Sequence, residues 1–588
     1  MIDTAAERKV FFRQYHPALT RNLDLWHLGA SPCSKEAPPV RQLEQAEQAT
    51  QIAIKYAEVQ TAAHAPTHLF GWLPIIWSRV LFGGAPVEPT TWRWRPCAAI
   101  FLLSGILLYP CVSFHLFEPD EGRYAQIPFE MLTSGELIVP TLQGEPYLDK
   151  PPLFYWLVMM SYSLFGFHDG AARLVPALAM HATVLLTYVL GRRMVGERSA
   201  FWGALLLTVS PIFLGIGRLL VLDGLLALWI TLALLAAYVA QSGTRLQRGW
   251  WFVAALACGL GVLTKGPVAV VLVLMPLLVN RWFTREGEAP AEPHAAPESR
   301  LGGSLALPPN ALRVAAPISC RAWTGFVGVV LAVNLPWYVA VCVQRPEFVR
   351  HFLWQHHVQR FVEPFDHVRP VWFYLPILLY GLLPIVLLAW PIARFLTSTR
   401  TQESSQRCPA LGYLLLAGGW CVFFFSLAGS KLPTYILPAF PVLCLALGCF
   451  IARTDWRKSR WVFALVAIAW LVQAAANQIA VPAYARSRAP MSDFEAMRER
   501  CGDRSVPVVC FPRNIDSVAF YVGRSDFRTF RSKGIDELVR ELDRHPRTVV
   551  LFGHRNSPET LARHLPPHLR MVDRRPMGLC ESAIIERN

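Results

Sequence analysis

Residues 117–124 read FEPDEGRY and place Asp120, Glu121 and Arg123 within four positions, directly after the apolar run AAIFLLSGILLYPCVSFHLF. A carboxylate held beside a guanidinium at the edge of a membrane-like segment can act as a general base or orient an acceptor. The plainer reading is a solvated loop in which Asp120 caps a helix running from Arg123 towards Leu132. Other ionisable residues stand in or beside apolar runs: Arg218 and Asp223 in GIGRLLVLDGLLALW, Lys265 in GLGVLTKGPVAVV, and Lys431 in FFFSLAGSKLPTYILPAF. To these FLWQHHVQRF adds His356, His357 and Arg360. A charge at the centre of a membrane helix costs ~2.5–3.5 kcal/mol on insertion scales, so each needs a reason. Taken singly, Lys265 can snorkel from a helix end, Lys431 can sit in a turn, and Arg218 can pair with Asp223 for structure alone.

The elements that must position these residues are membrane helices. The chain has 588 residues, 53% hydrophobic and only 16% charged, against about 25% charged in soluble domains. Stretches near the roughly 20 apolar residues of a span occur at 97–117, 171–191, 199–216, 220–240, 250–264, 266–283, 322–343, 372–393, 410–427, 433–451 and 460–481. The run 152–166 suits a re-entrant or surface-lying helix, and 68–83, interrupted by Arg79, an interfacial one. The loops 191–198, 241–249 and 452–460, and the segment around Arg394, Arg400 and Arg407, are basic and fall on one side, which makes that side cytoplasmic. The loop 118–170 is acidic and falls on the other side, with everything after residue 482.

The formal charge of +15 is therefore a loop property and does not imply nucleic acid. Of the 13 cysteines, several lie in apolar runs; Cys501, Cys510 and Cys580 fall in the C-terminal region without a disulfide spacing signature. Residues 1–96 form an extension with a helical stretch at 41–62 and no signal-peptide pattern. Residues 285–315 read as a disordered cytoplasmic insertion rich in Ala, Pro, Gly and Glu. Residues 483–588 alternate strand-like and helix-like runs, as in a small α/β domain outside the membrane. No P-loop, dinucleotide fingerprint or paired CxxC occurs, which argues against a nucleotide-driven cytoplasmic reaction. All the stranded charges fall at external helix ends. Arg123, Lys150, Arg218, Lys265, Arg360 and Lys431 together suit an anionic lipid headgroup, since charge-assisted bonds to phosphate strengthen where water is excluded.

The ordered motifs PDEGRYAQIPFEMLTSGELIVPTLQGEPYLDKPPLFYW, RLLVLD, GLGVLTKGP, FLWQHHVQRF and GSKLPTYILPAFP resemble the aminoarabinose transferases that modify lipid A. These belong to the polyprenyl-phosphate-sugar-dependent GT-C glycosyltransferases, with the protein O-mannosyltransferases. The resemblance covers roughly residues 97–530. It implies a polytopic α-helical membrane protein of about 11–13 transmembrane helices, with amphipathic helices in the external first loop (118–170) and a small external α/β C-terminal domain. It implies Asp120 as catalytic aspartate, with Glu121, Arg123 and Tyr124 continuing the motif and Lys150 in the loop's lysine position. Asp223 and Lys265 match positions that hold the lipid-linked phosphate, and Lys431 and Tyr435 match the KLPTY segment. The family often has Glu before the loop lysine, where a metal can bind with a histidine of the later loop; here Asp149 stands there. No cofactor is required, and zinc on Asp149 with His356 or His357 is an open option, set against His357 orienting a phosphate or carboxylate.

The expectation is an inverting transfer of a sugar from a polyprenyl phosphate to a lipid A-like or other envelope acceptor. The site would face the periplasm from the bacterial inner membrane, with membrane lipids as further partners. Two alternatives stand beside it. A transporter or flippase for an anionic lipid-linked sugar would show midplane sites and internal repeats, which the sequence lacks. An inactive relative serving assembly would not need the intact acid and base set.

Overall fold

Lipid offers backbone groups no hydrogen-bond partner, so apolar runs of this length can enter a bilayer only as helices. The computed structural model describes residues 94–110, 112–286, 316–362, 366–398, 407–408, 410–554, 557–578 and 580–587; the side chains of 283–286, 357–358 and 492 also lie outside that description. The expected helix at 41–62, the interfacial segment 68–83 and nearly all of the insertion 285–315 therefore lie outside the described residues, as does Arg400. Everything described belongs to one structural unit, which begins at Ile75.

Helix α1 (Trp94–Leu108) ends earlier than the expected 97–117. Pro110 has no amide hydrogen to continue the ladder and disfavours helix in the residue before it. The chain then runs irregularly to the acidic helix α2 (Asp120–Ser134), which Gly135 closes at φ 76°. A short hairpin, β1 (Thr141–Leu142) and β2 (Glu145–Pro146), leads to α3 (Leu153–Phe165), too short to span. Helix α4 (Asp169–Val195) is long enough, capped by His168 and carrying Arg192 and Arg193 in its last turn. Helices α5 (Glu197–Thr208) and α6 (Pro211–Gly217) share one apolar run and bend by 58°. The bend follows from Ser210, whose hydroxyl caps α6, and from Pro211 in its first turn.

Next come α7 (Asp223–Gln241), α8 (Arg248–Lys265), α9 (Val268–Glu286) and α10 (Cys320–Gln344). Helix α7 is buried nearly all round, whereas α10 exposes Val327, Leu331, Leu335, Val339 and Val343 at intervals of four residues. That stripe faces lipid; on the other side Asn334 is buried and donates to the Gly259 carbonyl at 3.0 Å. A π-helix follows (Val349–Gln359). Helices α11 (Tyr374–Gly381) and α12 (Ala389–Thr397) belong to a pair bent by 100° around Pro384. Then come α13 (Leu411–Leu427), α14 (Ala439–Arg453) and α15 (Arg460–Ala475), the last continued through a π turn into α16 (Val481–Arg488). Gly448 of α14 packs so close to Ser199 and Gly203 of α5 that an added Cβ would meet backbone, the small-residue contact on which membrane helices rely. Among the described residues four helices are long and apolar enough to cross a membrane, up to six if each bent pair is one span, and shorter apolar helices accompany them. Each of the eleven expected stretches contains helix.

The last span runs to Arg488 rather than 481. After it, α17 (Phe494–Cys501), β3 (Val508–Phe511), α18 (Asp516–Val522), β4 (Arg528–Thr529), α19 (Ile535–Asp543), β5 (Arg547–Phe552), α20 (Ser557–Ala562), β6 (Leu569–Met577) and β7 (Cys580–Arg587) form an α/β domain. Its sheet has the order β4-β3-β5-β7-β6, parallel on one side of β5 and antiparallel on the other. Both faces are covered, which explains the unbroken apolar run of β3 and the near-continuous one of β5. Cys501, Cys510 and Cys580 are buried free thiols within it.

Candidate active site

The acidic helix decides the first question. Asp120 is the first helical residue and Pro119 the cap, so Asp120 does not cap a helix from Arg123. Its carboxylate sits in the first turn, where the helix dipole favours negative charge, and its side chain is 51% exposed. Arg123 approaches it at 3.8 Å, a loose pair. Glu121 points elsewhere. It is buried against Arg173, which donates from Nε to Oε1 at 2.8 Å and from Nη2 to Oε2 at 2.6 Å. The backbone N–H groups of Leu220 and Phe117 occupy the same oxygens at 2.8 and 3.0 Å. Every acceptor direction is taken, so Glu121 holds the loop to α4 and has no oxygen left for a substrate. Arg173 was not among the expected residues, although it stands in the apolar run AARLVPALAM and carries the same signal as Arg218.

From Arg123 a polar chain crosses the first loop. Tyr147 lies within electrostatic range of both Arg123 and Asp149 and stands between them in this chain. Tyr124 lies within electrostatic range of Arg123, Tyr147, Asp120 and Asp223. Lys150 lies within range of Asp149, Lys265, Arg360 and Asp223; burial beside the two other cations outweighs the carboxylates and pushes its ammonium pKa down to about 8. Asp223 opens α7 and closes an ion pair with Lys265, the last residue of α8, and the Lys265 ammonium stands 4.2 Å above the Tyr435 ring. Asp223 thus pairs with Lys265 and not with Arg218. Arg360 reaches Asp366 at 2.9 Å.

The later loop contributes a pair of histidines. His351 Nε2 and His356 Nε2 lie 3.0 and 3.2 Å from Asp149 Oδ1, and the three donor atoms lie within 4.8 Å of one another. The π-helix explains why His351 joins His356: its repeat brings residues five apart onto one face, whereas an α-helix would not. His351 was missed for that reason, and the His357 side chain lies outside the described residues. One carboxylate and two imidazoles are an ordinary zinc set with room for a further ligand, so these residues fit such an ion. Burial lowers the His356 pKa to about 4, against the opposing pull of Asp149, so its imidazole is neutral and able to ligate.

Two expected residues spend donors on the backbone. Arg218 donates to the carbonyls of Asn477 at 2.7 Å and Pro110 at 2.9 Å, tying α6 to the last span. It lines an apolar cavity of about 460 Å³ with Phe117, Leu219 and Tyr484. The Lys431 ammonium donates to the carbonyls of Arg369, at 3.0 Å, and Ala428, and its backbone N–H to that of His367. It fastens the turn before Tyr435.

A family model described as dolichyl-phosphate-mannose-protein mannosyltransferase matches residues 94–308. An undecaprenyl phosphate-alpha-4-amino-4-deoxy-L-arabinose arabinosyl transferase of Erwinia tasmaniensis is 34% identical over 412 residues, 66% of this chain and 68% of the relative. The protein of the same description from Edwardsiella ictaluri is 33% identical over 367 residues, covering 61% and 59%. The chain spans 57–60% of the length of three curated relatives of that description, the Edwardsiella ictaluri protein among them. The crystal structure of ArnT from Cupriavidus metallidurans bound to undecaprenyl phosphate shares the fold, with TM-score 0.65 and 20% identity over 88% of this chain and 98% of that one.

Proposed function

The chain belongs to the family of undecaprenyl phosphate-alpha-4-amino-4-deoxy-L-arabinose arabinosyl transferases, and on that premise we propose that it transfers a sugar from a polyprenyl phosphate to an envelope acceptor such as lipid A. The site lies on the periplasmic side of the bacterial inner membrane. One observation carries the reading: Asp120, Arg123, Lys150, Lys265 and Arg360, from four separate chain segments, are linked through shared neighbours into one polar cluster at the helix ends. A transporter would place such groups at the midplane.

The step is a single displacement. The acceptor oxygen forms a bond to the anomeric carbon while the bond from that carbon to the phosphate oxygen breaks, and the electron pair leaves on the phosphate. Asp120, exposed and loosely held, takes the acceptor's proton or, where the acceptor is itself a phosphate, positions it. Lys150, Lys265 and Arg360 face the departing phosphate and stabilise the charge that builds there. Tyr124, within electrostatic range of both Asp120 and Asp223, would join the acceptor end of the site to the donor end. Asp149, His351 and His356 would hold zinc, which when bound supplies a further positive charge for the leaving phosphate.

Replacing Asp120 with Asn tests the reading. Transfer, followed as one sugar mass gained on envelope lipids, is expected to fall ~10²–10⁴-fold with the protein still folded and inserted. Retained turnover removes Asp120 from the role.

A further inference from the structure

We propose that the C-terminal domain holds the Asp120 helix in its working position through a buried latch, in which Glu118 and Asp516 carry one proton between them. The role in catalysis rests on the transferase reading above; the latch itself does not.

The seam is built against the acidic helix. Glu118 precedes α2, and its Oε1 accepts the Ser517 N–H of α18 at 2.6 Å. Its Oε2 is buried and meets no partner. Asp516 Oδ1 accepts from Gln143 at 3.1 Å and from Asn514 at 3.4 Å, while its Oδ2 is likewise buried without a partner. Two orphaned, buried carboxyl oxygens in one seam cost several kcal/mol if both groups are ionised, and far less if one is neutral. Among the described residues the charged neighbours do not relieve them. Arg123 faces both carboxyls but also serves Asp120 and Tyr147. Glu130 adds a further negative charge towards Asp516. The thiols of Cys510 and Cys580 face the pair from β3 and β7, with Arg513 beside Cys580. Burial and the Asp516 charge push Glu118 up to about 8, and burial raises Asp516.

Gly122 shows how tight the contact is. A Cβ at that position would lie 2.5 Å from both Glu118 Oε1 and Ser517 N. Further contacts in the seam, from Gln126 Nε2 to the Arg524 carbonyl at 2.7 Å and from Leu116 N–H to the Tyr521 hydroxyl at 3.1 Å, connect the same two parts. Glu118 and Asp516 are positioning residues, since they act on Asp120 through the helix.

The sign of the pH effect follows from the neutral form being the buried one. The latch's contribution is complete below the ordinary carboxyl range and is lost as pH rises through about 8. Hydrogen exchange on the detergent-purified full chain, at pH 6.5 and 9 and corrected for intrinsic rate, tests it. Peptides covering 116–132 and 514–524 are expected to lose protection about tenfold at pH 9, while β5 stays unchanged. Glu118→Gln, neutral at every pH, is expected to keep protection at pH 9, and to extend transferase activity to higher pH by raising kcat without changing donor KM. Gly122→Ala is expected to raise exchange in both peptides at either pH. Protection in the wild type that ignores pH, or a Glu118→Gln seam that opens like the wild type, overturns the latch. Exchange behaving as expected in a protein whose Asp120→Asn variant still transfers sugar would remove Asp120 from the catalytic role and leave the latch standing, and exchange behaving as expected in a protein that transfers no sugar at all would overturn the transferase reading alone.

Discussion

Asp120 and Glu121 are neighbours in the chain and occupy opposite chemical settings. Glu121 faces inward, where a bidentate guanidinium and two backbone N–H groups saturate both oxygens. Asp120 faces outward, half exposed, with one arginine at 3.8 Å. The difference teaches how to tell structure from function among charged residues in a membrane protein. A buried carboxylate with every acceptor direction filled has no capacity left for a ligand. One that is held near cations but not saturated by them has. Arg218 and Lys431 spend donors on backbone carbonyls; Lys150 also donates to one, that of Asp149 at 3.0 Å, but lies within electrostatic range of Lys265, Arg360, Asp149 and Asp223.

The most direct way to break this comparison is to exchange the outcomes at the two carboxylates. Asp120→Asn should cost ~10²–10⁴-fold in turnover and leave the thermal midpoint in detergent unchanged. Glu121→Ala should do the reverse, costing ~3–5 kcal/mol of stability by stranding the buried Arg173, read as a lowered midpoint and loss of membrane-inserted protein. An unstable Asp120→Asn or a fully stable Glu121→Ala would invert the assignment. A smaller effect is expected at Asp223→Asn, which frees the Lys265 ammonium from its carboxylate. Loss of a charge-assisted bond of ~1.5–3 kcal/mol predicts a fall in kcat/KM of roughly 10-fold or more, with normal insertion. Tyr147→Phe should have the smallest effect. It interrupts the chain from Arg123 to Asp149 at one hydroxyl, worth ~1 kcal/mol or about fivefold in turnover, and kinetics on purified protein would resolve it.

Much of the frame was legible in the residue order. The apolar runs marked the helices, since hydropathy is local. Asp120, Arg123, Lys150, Asp223, Lys265 and Arg360 were all visible as charges next to apolar sequence. Helix ends were less legible: α1 stops at Leu108 because of Pro110, and the last span continues through a π turn to Arg488.

By itself the sequence determined which segments are apolar and which charges stand beside them. The cost of moving a charge or a bare peptide group into lipid depends on composition along the chain and can be read from it. Only the tertiary structure decided who partners whom. Asp223 chose Lys265 over Arg218, Glu121 closed on Arg173, His351 joined His356 beside Asp149, and Glu118 met a domain some four hundred residues away. Those choices turn on a few ångströms between side chains brought together by packing, and no local pattern encodes such distances.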